Sequence, residues 1–133
     1  MWKESFGHQW KRHAILFQLD RKGKTMTINE YQKLAMRTAN EECFNLANAG
    51  LGLTGEAGEA GDIIKKHLFH KHALNKEHLA KELGDVMWYI ALTATIIGYD
   101  LEDIMQMNID KLKARYPEGF VPEKSQHRKA GDI

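Results

Sequence analysis

Residues 50–98 decide the fold: GLGLTGEAGEAGDIIKKHLFHKHALNKEHLAKELGDVMWYIALTATIIG. The segment contains two pairs of acidic residues, Glu56 with Glu59 and Glu82 with Asp85, each at a spacing of i and i+3. In a helix this spacing puts both carboxylates on one face, about 60° apart around the axis. Each helix can therefore offer a pair of oxygen ligands in one direction, and two such helices can enclose a cation.

The second acidic pair lies on an apolar face of its predicted helix. At about 100° per residue, Glu82 and Asp85 share a sector with six residues: Leu79, Val86, Tyr89, Ile90, Thr93 and Ile96. The following run, VMWYIALTATII, is apolar almost all round, which predicts a helix buried in a bundle. A buried carboxylate must be paired, protonated or bound to a metal. This setting favours a metal site over a solvated charged face.

The first acidic pair begins a stripe that changes from acids to bases along the helix. Lys66 follows Glu59 by about 10 Å, at 1.5 Å per residue, a distance that a metal-bound triphosphate can bridge. His67 and His70 continue the stripe, and we expect them to be exposed or to face phosphate.

Glycines interrupt the same helix at every third position, at Gly55, Gly58 and Gly61. Each costs about 1 kcal/mol relative to alanine inside a helix. We expect a neighbouring helix or a ligand to approach the backbone closely there, and of the two we favour a neighbouring helix.

The two acidic pairs carry a resemblance to a known family. Glu56-x-x-Glu59 and, after a gap of 22 residues, Glu82-x-x-Asp85 resemble the MazG-like all-α nucleoside triphosphate pyrophosphohydrolases, in the contexts LTGEAGEAGDIIKK and KELGDVMWYI. The resemblance covers about residues 26–121 and extends to dimeric dUTPases and phosphoribosyl-ATP pyrophosphohydrolases, so it does not select a substrate. The family often has a further glutamate before the first pair, where this chain has Gly55.

The resemblance implies an all-α four-helix bundle, assembled as a dimer or tetramer, that hydrolyses an NTP or dNTP. The products are the monophosphate and pyrophosphate, and the purpose is house-cleaning or control of the nucleotide pool. Glu56, Glu59, Glu82 and Asp85 are the implied catalytic and metal-binding residues, with Mg²⁺, or alternatively Mn²⁺, as the cofactor. One of these acids, for which we favour Glu56, also orients or deprotonates water.

The predicted fourth helix supplies further candidates. Asn108 lies within its apolar face, and Lys111 and Arg115 lie on one flank within about 60° of it. An asparagine satisfied in the core beside two snorkelling basic residues explains this pattern without a ligand. The family has a similar Asn-x-x-Lys-x-x-x-Arg pattern, which implies that these residues, with Lys66, bind the triphosphate. By the same analogy, Gln32 is a candidate base contact.

Two other classes of protein remain as alternatives. A ferritin-like di-iron protein also places carboxylates in a four-helix bundle, but it needs Glu-x-x-His motifs. The all-oxygen ligand set here suits Mg²⁺ or Mn²⁺ better than iron. The other alternative is a non-catalytic helical interaction protein whose acids only set the register of the bundle.

The composition describes one ordinary globular domain of 133 residues, 43% hydrophobic and 28% charged. The net charge of +1 gives no reason to expect nucleic acid or membrane as a partner. A single cysteine, Cys43, excludes an internal disulfide and fits a cytoplasmic location. The longest apolar run, residues 86–99, is too short to span a bilayer.

Charge divides the chain into three segments. Residues 1–25 hold six Lys or Arg against two Asp or Glu, a net charge of +4, and we interpret them as a basic N-terminal extension. Residues 26–117 form the predicted pyrophosphohydrolase domain. Residues 118–133 are polar and without periodicity, which predicts a loose tail.

Four helices are expected in the central segment. The first starts near residue 28, after a capping box formed by Thr27 and Glu30. The second ends by residue 73, the third runs from an Asn75 cap to Gly98, and the fourth follows an Asp100 cap and stops before residue 117.

Overall fold

The structure, a computed structural model, describes residues 25–128, and most of that range is helical. A 3₁₀ turn at Glu41–Cys43 precedes the second of the five α-helices within this range, which are α1 (Ile28–Met36), α2 (Leu46–Phe69), α3 (Lys76–Ile97), α4 (Leu101–Arg115) and α5 (Pro122–Gln126). No strand occurs between residues 25 and 128. The predicted all-α class is confirmed.

Local capping interactions place the helix ends where they were predicted. The Thr27 hydroxyl accepts a hydrogen bond from the Glu30 N–H, and the Glu30 carboxylate accepts one from the Thr27 N–H. The Asn75 side chain accepts from the third N–H of α3, and Gly98 ends that helix at a positive φ of 78°. Each of these caps involves residues close in sequence.

Helices α2 and α3 form a hairpin with the most extensive contact in the fold. Gly52 permits this contact, because a methyl group at its Cα would overlap the ring of Tyr89. The predicted close packing at Gly55, Gly58 and Gly61 is wrong within one chain, since a Cβ at each would meet nothing within 4 Å.

A small core cluster lies between α1, α3 and the start of α4, and its buried members are Ala35, Ala91, Ala94 and Leu101. Ala49, Ala60 and Leu92 are buried as well. Trp88 of α3 packs on this cluster, and its indole N–H donates to the Thr38 hydroxyl at 2.7 Å and to the Ala35 carbonyl at 3.2 Å. These bonds fix the end of α1 against α3.

Side chains of α1 cap the start of α4. The Leu101 N–H donates to Gln32 Oε1 at 2.8 Å, and the Glu102 N–H donates to Asn29 Oδ1 at 3.1 Å. Asp100 occupies the predicted cap position but makes no side-chain capping bond. The cap therefore comes from a distant helix rather than from the adjacent residue.

One face of α3 is uncovered in the single chain. Its large apolar side chains range from 38% exposed at Ile90 to 52% at Leu83, with Met87 and Ile97 between them. The burial in a bundle that was predicted for α3 is thus only partial within one chain. Residues 105–114 of α4 are exposed too, including Met105, Ile109 and Leu112 of its predicted apolar face.

The C-terminal tail contains the short helix α5 where no regular element was expected. Residues 1–24 of the predicted basic extension lie outside the described residues, and the division into three segments stays a prediction. No described helix is long and apolar enough to cross a membrane.

Candidate metal centre

Three acids meet where α2 and α3 pack together. Glu56 and Glu59 of α2 and Glu82 of α3 each offer one carboxylate oxygen, and these three oxygens lie within 4.8 Å of one another. The i, i+3 spacing aligns the first two, and the helical hairpin brings up the third. The structure thus joins residues that are 23 or more positions apart in the sequence.

The three carboxylates differ in burial. Glu82 is buried, with 9% of its surface exposed, whereas Glu56 is half-buried and Glu59 is exposed. The apolar setting predicted for Glu82 and Asp85 therefore holds for Glu82, whereas Asp85 is exposed. This gives the cluster an inner ligand and an open side.

Asp85, the fourth predicted ligand, is exposed and stands outside this group of three. Its charge nevertheless reaches both the cluster and α1. The pKa of Glu56 is raised, first by partial removal from water and then by the negative charges of Glu59, Asp85 and Glu82. The pKa of Tyr31 is raised by burial and then by Asp85. Asp85 is therefore close enough for its charge to act on both Glu56 and Tyr31.

His78 is a neighbour of the cluster that the sequence analysis missed. Its Nε2 lies 2.9 Å from Glu82 Oε1, one helical turn away on α3. The i, i+4 spacing of a histidine and a predicted ligand was a visible signal. The Asn75 cap, which accepts from the His78 N–H, places the histidine in the first turn.

Lys66 is engaged by an acid outside the cluster. Its Nζ lies 2.6 Å from Asp62 Oδ2, and Lys65 Nζ lies 2.6 Å from Asp62 Oδ1. These two hydrogen-bonded lysines lower the pKa of Asp62 to about 2. His67 and His70 lie near the C-terminal end of α2. Both are exposed, which is one of the two settings predicted for them.

The predicted phosphate ligands of α4 occupy the exposed half of that helix. Asn108 and Lys111 are exposed, and the half-buried Arg115 places its guanidinium carbon 5.9 Å from the ring centroid of Tyr116. Helix α4 packs on α1 and α3, whereas two of the three clustered acids belong to α2. Binding of triphosphate by this trio stays a prediction.

Gln32 was predicted to contact the nucleotide base, but in the structure its side chain links α1 to α3 and to the start of α4. The side chain is 7% exposed, and its amide nitrogen donates to Thr95 Oγ1 at 3.1 Å and to the Tyr99 carbonyl at 3.0 Å. Its oxygen accepts from Leu101. Because this amide is committed to three partners, we leave Gln32 out of the proposed substrate site.

The donor set fits a hard divalent cation. Three carboxylates converge without an imidazole or thiolate among the grouped ligands, and oxygen donors of this kind suit Mg²⁺ and Mn²⁺. His78 contacts Glu82 but does not belong to the group. The set therefore differs from the mixed carboxylate and histidine ligands of ferritin-like di-iron bundles.

Fold and site together define the class: an all-α protein with a carboxylate cluster able to hold a metal ion. A family model for the MazG nucleotide pyrophosphohydrolase domain matches residues 44–120. The chain belongs to the MazG family, and the resemblance noted from the acidic motifs is confirmed.

Two relatives extend the comparison. The Gene 37 protein of Mycobacterium phage L5 is 37% identical over 114 residues, which cover 77% of this chain and 100% of the phage protein. The uncharacterized protein YvdC of Bacillus subtilis (strain 168) is 32% identical over 73 residues, or 48% of this chain and 69% of that protein. No solved structure matches the chain.

Proposed function

We propose that this protein hydrolyses a nucleoside triphosphate, NTP or dNTP, between the α and β phosphates. The products are the nucleoside monophosphate and pyrophosphate. The observation that carries the proposal is the convergence of Glu56, Glu59 and Glu82 within 4.8 Å in a member of a nucleotide pyrophosphohydrolase family. The reaction serves house-cleaning or control of the nucleotide pool, in the cytoplasm.

The four acids have different positions in the proposed site. Glu56, Glu59 and Glu82 would hold Mg²⁺, with Asp85 beside them. A bound ion would supply positive charge to offset that of the phosphate oxygens. Glu56 orients the attacking water, since it is half-buried and close to the other three acids.

The basic residues act on the departing pyrophosphate. Lys66 lies about two turns beyond Glu59 on the same helix, and its partner Asp62 keeps it beside α2. Lys111 and Arg115 stabilise the developing charge and Asn108 positions it. These three lie on α4, which packs on α1 and α3.

A homo-oligomer accounts for the uncovered face of α3. The stripe of Leu83, Met87, Ile90 and Ile97 follows helical spacing and is exposed along its length. Contiguous apolar surface of this kind marks an interaction site. We propose that a second copy covers it. Light scattering should give at least a dimer for the wild type and a lower mass for Met87→Lys, whereas a wild-type monomer at micromolar concentration contradicts the proposal.

The activity is tested by incubating common and damaged NTPs and dNTPs with Mg²⁺ and identifying the products. Glu59→Gln and Asp85→Asn should each reduce turnover by about 100-fold or more, because they remove charge from the site that stabilises the transition state. Glu77→Gln is the matched control, since Glu77 is an exposed α3 acid paired only on the surface with Lys81. Its turnover should equal that of the wild type.

Two results would overturn the proposed chemistry. One is release of nucleoside diphosphate and orthophosphate by the wild type. The other is wild-type turnover in both Glu59→Gln and Asp85→Asn.

A further inference from the structure

Glu82 is distinguished from the other acids by its burial and by its contact with a histidine. It is 9% exposed, and its Oε1 lies 2.9 Å from His78 Nε2. The His78 side chain is itself 56% exposed. A single surface histidine therefore contacts the innermost carboxylate of the cluster.

We propose that His78 is a positioning residue for the metal ligand Glu82. The inference rests on the proposed function and adds a residue to that site. In this role His78 donates from Nε2 to Glu82 Oε1 and so holds the carboxylate in place. It acts through Glu82 and contacts neither metal nor substrate.

The need for such a donor follows from the repulsion inside the cluster. The ligand oxygens of Glu56 and Glu59 lie within 4.8 Å of that of Glu82, so before a cation binds, like charges push the Glu82 side chain away from the site. A glutamate also loses rotamer freedom when it is held in one geometry. A hydrogen bond from His78 offsets both effects and keeps the carboxylate in place.

The backbone of His78 is fixed independently of the cluster. Its N–H donates to the Asn75 side chain at 3.0 Å, which makes it part of the capped first turn of α3. From that position the imidazole reaches Glu82 across one helical turn. The geometry is thus set by local sequence and is present before any ligand binds.

A competing account predicts the opposite change in Mg²⁺ affinity when His78 is removed. If His78 acted as a cation that competes with the metal for Glu82, removing it would strengthen Mg²⁺ binding. Positioning predicts weaker binding, because hydrogen bonds to metal ligands typically contribute about 10- to 100-fold in metal affinity. The sign of the change therefore separates the two accounts.

The test is a calorimetric Mg²⁺ titration of the full chain without nucleotide, together with melting temperatures with and without Mg²⁺. His78→Ala removes the donor, and His78→Gln keeps an N–H donor at the same helical spacing. Lys81→Ala is the matched control, because it removes another i, i+4 ion pair of the same helix, to Glu77, that is fully on the surface. Should His78→Ala fail to fold, His78→Met, which keeps volume without a donor, replaces it.

We expect about 10-fold weaker Mg²⁺ binding and a smaller Mg²⁺-induced rise in melting temperature for His78→Ala. His78→Gln and Lys81→Ala should bind as the wild type does. With nucleotide present, His78→Ala should need about 10-fold more Mg²⁺ for half-maximal turnover, while the KM for nucleotide at saturating Mg²⁺ stays unchanged.

Unchanged or tighter Mg²⁺ binding in His78→Ala overturns the inference while leaving the proposed function intact. So does a loss in His78→Gln as large as that in His78→Ala. A wild-type protein that responds to Mg²⁺ neither alone nor with any nucleotide overturns the proposed function, and the positioning role with it.

Discussion

Replacement of Gly52 by alanine tests the packing that assembles the acidic cluster. Gly52 lies one turn before Glu56 on α2, and its contact Tyr89 lies one turn after Asp85 on α3. The contact therefore sets how the two acid-bearing helices meet. A methyl group at position 52 would overlap the ring of Tyr89, so either the ring or the helix must move.

Opposing effects determine the size of the change. Alanine is favoured over glycine inside a helix by about 1 kcal/mol. Against this, overpacking costs about 1–3 kcal/mol, and a displaced Tyr89 ring loses its edge contact with Trp88, whose ring centroid is 4.9 Å away. Such aromatic pairs contribute about 0.5–1.5 kcal/mol. We expect Gly52→Ala to lower the free energy of unfolding by about 0.5–3.5 kcal/mol.

Urea unfolding measures this change, and Gly58→Ala provides the matched control. Gly58 lies in the same helix, but a Cβ there would meet nothing within 4 Å, so alanine should stabilise the protein by about 1 kcal/mol. Gly52→Ala should also weaken Mg²⁺ binding, because the hairpin that joins the acids is disturbed. Equal stability of the two variants would refute the argument that Gly52 sets the contact between α2 and α3.

Three further predictions follow from individual contacts. Gln32→Leu leaves the Leu101 N–H and the Tyr99 carbonyl without this partner, and urea unfolding should show a loss of about 1–3 kcal/mol. Leu92→Ala leaves a cavity at a fully buried position and should lower the free energy of unfolding by about 2–5 kcal/mol in the same assay. In metal-free Asp85→Asn, NMR titration should find the pKa of Glu56 lower than in the wild type, because one of the charges that raise it is gone. A raised pKa in the folded state makes stability fall as the pH rises from the usual glutamate pKa through the raised value. In that pH range, the melting temperature of the metal-free wild type should decline more steeply than that of Asp85→Asn. Equal slopes for the two proteins would contradict an effect of Asp85 on the pKa of Glu56.

Helix ends and acidic spacing are properties that the sequence determined by itself. The Thr27 capping box, the Asn75 cap and the Gly98 stop join groups only a few residues apart, so the local sequence is sufficient to specify them. The same holds for Glu56 with Glu59, because helical geometry alone puts them on one face. The contact of His78 with Glu82 was equally readable from i, i+4 spacing.

Only the tertiary structure decided which residues meet across helices and how deeply each is buried. Gln32 contacts partners 63 to 69 residues away. The close approach of the Tyr89 ring to Gly52 depends on how α2 packs against α3. Glu82 is buried and Asp85 is exposed although they are only three residues apart, and this difference in burial likewise depends on which side of α3 the neighbouring helices cover. The physical reason is that capping and face alignment are set by the helix itself, whereas burial and distant hydrogen bonds are set by packing between helices, which no local pattern records.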